Sequence, residues 1–358
     1  MPRWLLLLPL LAACQGSPAP GGRDPAPAAS TLAASAPAPS AAPPVIAALP
    51  ASAAPSGSAR ARAPAATGDA WIAAAGLSVT RLYPEERHTW RQIAQLHWQA
   101  VADGPDLPPD DAIGAPGCPS GMKLVAGGFL LDRSKRDDTD EVLRLQNETC
   151  THWLTDDHEL NGLCTRFDAD RWRTVTASLQ RRPMRVCMDD HEFPNVRGEY
   201  PLVVVTFAEA QKHCAQAGKR VCTESEWTLA CEGEEGRPYP YGYERDEQAC
   251  TIGILGPGPE KDMFSPRTTA RTAHGADHSW RGTRSGEAAR CVSPYGIHDL
   301  TGNVDEWTQS VRKGGYQMIL KGGHWGPARQ RCRPQTRGHG PHYVRYDQGF
   351  RCCADPAP

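Results

Sequence analysis

The residues in this chain best suited to chemistry are its cysteines. There are 13, twelve of them after Cys14, and no two stand in a Cys-x-x-Cys spacing. Structural zinc and iron–sulfur sites usually draw thiolates from such short loops, so the spacing disfavours both. An even number of cysteines in an exported chain reads instead as a disulfide framework, with six bridges as its ceiling. A second group, Asp189-Asp190-His191-Glu192, is an acidic cluster with the residue types of a catalytic group, but a run of consecutive polar side chains reads as a solvated loop. Trp153, Trp172 and Trp280 read as packing residues rather than ligand platforms.

Two helices should position part of this inventory. Thr206-Phe207-Ala208-Glu209 is a capping box in which hydroxyl and carboxylate satisfy the free amides of a helix start, and Gly218 supplies the stop. Phe207, Ala210 and Cys214 then share a face, which turns Cys214 inward. Thr223 to Glu226 is a second box, opening a helix that carries Trp227, Ala230 and Cys231 inward before Gly233. Leu202–Val205 and Met318–Lys321 read as buried strands. Near the C-terminus Phe350 and Cys352 face one way and Arg351 and Cys353 the other, so the adjacent cysteines should take different partners.

Residues 1–14 carry Arg3, an apolar core from Trp4 to Leu10, and then Leu-Ala-Ala-Cys. This resembles a bacterial lipoprotein signal, which implies lipidation at Cys14, attachment to a membrane through the lipid, and, with Gln15 rather than Asp following, an outer-membrane location in the cell envelope. Residues 15–70 are more than half Ala and Pro with no aromatic residue, and read as a disordered tether. Residues 71–117, with a helix-like apolar spacing from Trp90 to Val101, read as a short helical N-terminal extension. From Cys118 to Asp355 short apolar runs alternate with Gly and Pro turns, the pattern of one irregular α+β domain. A formal net charge of −2 leaves no basic field for a polyanion, so nucleic-acid binding is not expected.

Several blocks of this region come in a familiar order. They are Pro201 to Phe207, Gly218 to Trp227, Tyr239 to Gly242, Ser293 to Trp307 with Gly-Asn-x-x-Glu-Trp inside it, Lys321-Gly322-Gly323, and Gly349 to Cys352. Together they resemble the formylglycine-generating enzyme, or sulfatase-modifying factor, family over residues 118–355. The resemblance implies a disulfide-rich α+β fold related to the C-type lectins. It also implies a Cys214–Cys352 bridge, with Cys353 then paired elsewhere and Cys222 its expected partner.

Active members of the family oxidise a sulfatase cysteine with oxygen, using copper on two thiolates. The matching positions here are Pro327 and Cys332, so one soft ligand is absent and copper is not expected. The neighbouring family serine is replaced by His324, and the tryptophan inside Gly-Asn-x-x-Glu-Trp by Asp305. Two readings of Cys332 stay open: a lone copper ligand assisted by His324, His339 and His342, or half of a disulfide with Cys231. A structural calcium is implied at Asp299, Gly302, Val304 and Glu306, two carboxylates and two backbone carbonyls of the hard-oxygen kind calcium takes. The same acids could instead simply cap a Gly-Asn turn.

The reading that follows is a membrane-tethered binding or scaffold module for a peptide, protein or glycan. Its alternative is a metal-dependent oxidoreductase of the same family, maturing a cysteine, peptide or siderophore substrate.

Overall fold

The computed structural model describes residues 78–80, 86–94, 96–108, 114–136, 140–154, 163–312 and 317–358. Cys14 and the segment 15–70 lie outside the described residues. Among the described residues no helix is long and apolar enough to cross a membrane.

The frame is a four-stranded sheet in the order β4-β7-β13-β8. Its long pair, β4 (Met122–Leu130) and β7 (Arg181–Asp189), is antiparallel with Met122 opposite Asp189 and Leu130 opposite Arg181. Val125, Phe129, Val186 and Met188 turn from it into a core shared with Trp227, Ile297 and Leu300. The strands β8 (Arg220–Val221) and β13 (Cys352–Ala354) complete it, with Cys352 opposite Val221. A second sheet runs β11-β10-β9-β12, where β9 is Asp305–Gln309, β10 Met318–Lys321, β11 Gln335–Thr336 and β12 Gln348–Phe350. A hairpin of β5 (Cys150–Trp153) and β6 (Cys164–Phe167) lies apart from these sheets.

Short helices connect the strands: α1 Asp140–Glu148, α2 Ala169–Thr176, α3 Phe207–Gln216, α4 Glu224–Glu232 and α5 Ala270–Ser279. Both capping boxes are formed, Thr206 with Glu209 at α3 and Thr223 with Glu226 at α4. Helix α4 goes further than its pattern implies, since every residue from Glu224 to Glu232 is buried. Its charges survive there because each meets an opposite charge, as where the Arg333 guanidinium grips Glu232 through Nε at 2.7 Å and Nη2 at 2.5 Å.

The twelve described cysteines form six bridges: Cys118–Cys187, Cys150–Cys164, Cys214–Cys352, Cys222–Cys353, Cys231–Cys332 and Cys250–Cys291. Successive residues of β13 thus reach opposite sides of the sheet, Cys352 to α3 and Cys353 to the segment before α4.

Four expectations need correction. The stretch from Trp90 to Val101 is not helical but a hairpin of β2 (Trp90–Ile93) and β3 (His97–Ala100), extended by β1 (Ser78–Thr80). Trp90, Ile93 and Trp98 are buried on packed strands, so their spacing imitates a helix face without being one. Leu202–Val205 is fully buried but irregular, with one bridge from Val203 to Trp98 and Val204 at φ 59°. Asp189, Asp190, His191 and Glu192 are not a solvated loop, because all four are at most 5 % exposed. Trp153 is 38 % exposed, whereas Trp172 and Trp280 are buried.

Candidate functional site

Lys321, Gly322 and Gly323 leave β10 through a turn with both glycines at positive φ, 88° and 73°. A Cβ on either would stand 2.9 Å from backbone atoms, Leu300 O or Gln330 N, so the turn requires glycine. It delivers His324 to a half-buried position, where Nδ1 accepts from Gly326 N at 2.9 Å and Nε2 lies 3.6 Å from Asp347 Oδ2. Arg345 Nη2 reaches the same Asp347 oxygen at 3.0 Å. Burial pushes the Asp347 carboxyl up, against the pull of His324 and Arg345. Asp305 pairs through Oδ2 with Arg329, and its Oδ1 accepts from Gly323 N at 3.3 Å. This part of the site is therefore an alternating lattice of two carboxylates, two guanidiniums and an imidazole.

At the positions matched to copper ligands the donors do not fit copper. Pro327 has no donor atom in its side chain, and Cys332 is fully buried and bonded to Cys231. His339 stacks on Tyr343 with ring centroids 3.7 Å apart, His342 is exposed, and His324 is turned to Asp347. Among the described residues these three histidines do not form a cluster of three metal-ligating side chains within 4.8 Å; the cluster that does form is Asp190, His191 and His298.

The turn proposed for calcium is built from backbone that only a constrained loop adopts, with Asp299 at φ 59°, Gly302 at 82° and Asn303 at 53°. A Cβ on Gly302 would meet Thr251 O at 2.2 Å. Glu306 is the second residue of β9, and both of its carboxylate oxygens are engaged. Arg351 donates to them from Nε and Nη2, each at 2.7 Å, and Trp227 Nε1 donates to Oε2 at 2.8 Å. Asp299 Oδ2 accepts from Gly286 N at 2.7 Å. Glu192 accepts from Ser285 Oγ at 2.6 Å and from Asn303 Nδ2 at 2.9 Å. Burial raises Asp299 and Glu192 above the usual carboxylate range, while Arg351 pulls both down. Three buried carboxylates thus face one guanidinium. The Asp299 side chain fits a hard cation, whereas the Glu306 side chain is already taken.

Sequence reasoning placed Glu192 in a solvated loop and missed the roles of Arg351 and of the lattice partners Arg329, Arg345 and Asp347. The position of Arg351, opposite in facing to Cys352, was the one available signal for a buried guanidinium.

Comparison with known proteins agrees with this geometry. Residues 137–356 match the sulfatase-modifying factor enzyme 1-like domain. The inactive C-alpha-formylglycine-generating enzyme 2 of Bos taurus is 32 % identical over 165 residues, 44 % of this chain and 50 % of that one. Its Mus musculus counterpart is 33 % identical over 192 residues, 51 % of this chain and 57 % of that one. The formylglycine-generating enzyme of Mus musculus is 26 % identical over 186 residues, 45 % and 46 % of the two chains. The chain thus spans about half the length of these curated relatives. Among solved structures, that of CarF covers 70 % of this chain and 99 % of its own at 13 % identity and a TM-score of 0.40. Since the domain match takes in more than half of the sequence, the chain belongs to the sulfatase-modifying factor family and has its α+β, disulfide-rich fold.

Proposed function

We propose that this protein is a non-catalytic formylglycine-generating-enzyme-like module that binds a peptide, protein or glycan outside the inner membrane, held to the outer membrane by a lipid on Cys14. The observation that carries the reading is Cys332 in a disulfide with Cys231 beside Pro327, which leaves no thiolate where copper chemistry needs two. The inactive relatives support it by name. In place of a metal stands the lattice of Asp305, Arg329, His324, Asp347 and Arg345, whose partly exposed guanidiniums suit a polar or anionic ligand. Peptide and glycan arrays probed with labelled protein test this. Binding that Arg329→Ala removes supports the lattice as the ligand site; binding indifferent to Arg329→Ala argues against it.

Two further parts of the reading are separable. Calcium would sit against the Asp299 carboxylate with the carbonyls of Gly302 and Val304, offsetting the surplus of buried carboxylates over guanidinium. A calcium-dependent rise in Tm that Asp299→Ala abolishes is the expected result, and a Tm indifferent to calcium would remove calcium from the account. Lipid attachment predicts partition into a detergent phase that Cys14→Ala prevents. Equal partition of the two proteins would contradict it.

A further inference from the structure

The cluster of Asp190, His191 and His298 shares no residue with the copper positions or with the calcium turn, which begins one residue after His298. Asp190 and His191 follow directly on the end of β7, and His298 arrives from a turn more than a hundred positions later. The two segments are locked together by backbone. His298 N donates to Asp190 O at 3.0 Å, and one guanidinium, Arg351, donates to Asp190 O at 3.2 Å and to His298 O at 3.0 Å. Arg351 is itself anchored on Glu306. The Cys118–Cys187 bridge fixes β7 just before the cluster, and His191 N donates to Asn195 Oδ1 at 2.9 Å. Even the space for the ring is specified, since a Cβ on Gly286 would stand 2.8 Å from His191 Cε1.

We propose that Asp190, His191 and His298 bind a divalent transition-metal ion of the zinc class. One donor atom from each of the three lies within 4.8 Å of the others. The imidazole rings are 4.9 Å apart and inclined by 36°, and Asp190 Oδ1 is 2.9 Å from His298 Nδ1. Donors around a tetrahedral ion at zinc distances stand roughly 3.4 Å apart, so binding requires an inward movement of about 1 Å, within reach of side-chain rotation. Two nitrogens and one carboxylate match a borderline cation and disfavour calcium or magnesium, which take oxygen. Thiophilic Cu(I) has no thiolate to use, because all twelve described cysteines are bridged.

A cation already stands at the place. Lys123 Nζ lies 3.2 Å from Asp190 Oδ2, and the lysine side chain is 30 % exposed against 6 % for the aspartate. It closes the outer side of the cluster and can swing to solvent, leaving the carboxylate to the ion. The fourth position of the ion would then open on the side Lys123 vacates, as in sites with three protein ligands and one exchangeable water.

The alternative is an ordinary ion-pair network of Lys123, Asp190 and His298, which predicts no zinc uptake with or without the lysine. Untagged full-length protein, stripped with chelator and then freed of it, is titrated calorimetrically with zinc chloride, and cobalt(II) absorption serves as a second readout. One zinc per chain is expected. His298→Gln, whose amide still reaches Asp190, should weaken binding at least about tenfold. Lys123→Met should tighten it, a gain that misfolding cannot produce. Zinc uptake unchanged by His298→Gln, or absent from both the wild type and Lys123→Met, overturns the proposal.

Discussion

Cys231, on a wholly buried helix, is joined to Cys332 across 101 residues with their Cα atoms 5.4 Å apart. That bond makes a structural member of a position that would otherwise have to be a thiolate. In the native oxidised protein, thiol reagents should therefore find no reactive group at Cys332. The double variant Cys231→Ala/Cys332→Ala should lose about 2–5 kcal/mol of stability, read by urea unfolding, because the bridge restrains a long loop of the unfolded chain. Alkylation of Cys332 without denaturant would contradict this.

Arg351 is the only guanidinium shared by Glu306, Asp299 and Glu192 among their named partners, and it also holds three backbone carbonyls. Arg351→Met should cost about 3–5 kcal/mol, since it leaves buried carboxylate without its counter-charge. Denaturant midpoints compare the proteins, and a loss below about 1 kcal/mol would mean that Glu306 and its neighbours are not charged in the native state.

Acid should destabilise the fold in two steps near α3. Burial pushes the His97 imidazole from 6.5 down to about 4, helped by the nearby His213 and Arg267 and opposed by Glu209. The unfolded chain thus binds a proton that the native state refuses, and stability falls as pH drops from about 6.5 to about 4. The loss is on the order of 3 kcal/mol. Despite partial burial, Glu209 is held down at about 2 by hydrogen bonds from Arg267 and Thr206, so its share of stability is lost as pH falls from about 4.5 to about 2. His97→Phe should flatten the upper window and leave the lower one. An unchanged slope between pH 6.5 and 4 in that variant would place the upper transition elsewhere.

What could be read from the sequence follows interaction range. The capping boxes of α3 and α4 are complete within four consecutive residues each, so their text suffices. The inward turn of Cys214 and the split facing of Cys352 and Cys353 follow from helical and strand periods. Residues 90–100 were misread because strands of four residues are too short for a period, and the two buried tryptophans of the hairpin pack against residues far along the chain, such as Val203 and Trp280. The run Asp189 to Glu192 was misread for the same reason. Its polar residues are buried because Lys219, Lys123, His298, Ser285 and Asn303 arrive from remote segments to satisfy them. No local pattern contains those partners.

The central claim is that the fold is kept without the copper oxidation. Its most direct test is mass spectrometry of a sulfatase-type cysteine peptide incubated in air with the protein, copper and a reductant that spares disulfides, beside an active formylglycine-generating enzyme. The account predicts an unmodified peptide mass with this protein and conversion with the active enzyme. Cysteine converted to formylglycine by the unaltered protein would contradict it, because a side chain without a donor at Pro327 and a bridged Cys332 leave no thiolate on which that chemistry can run.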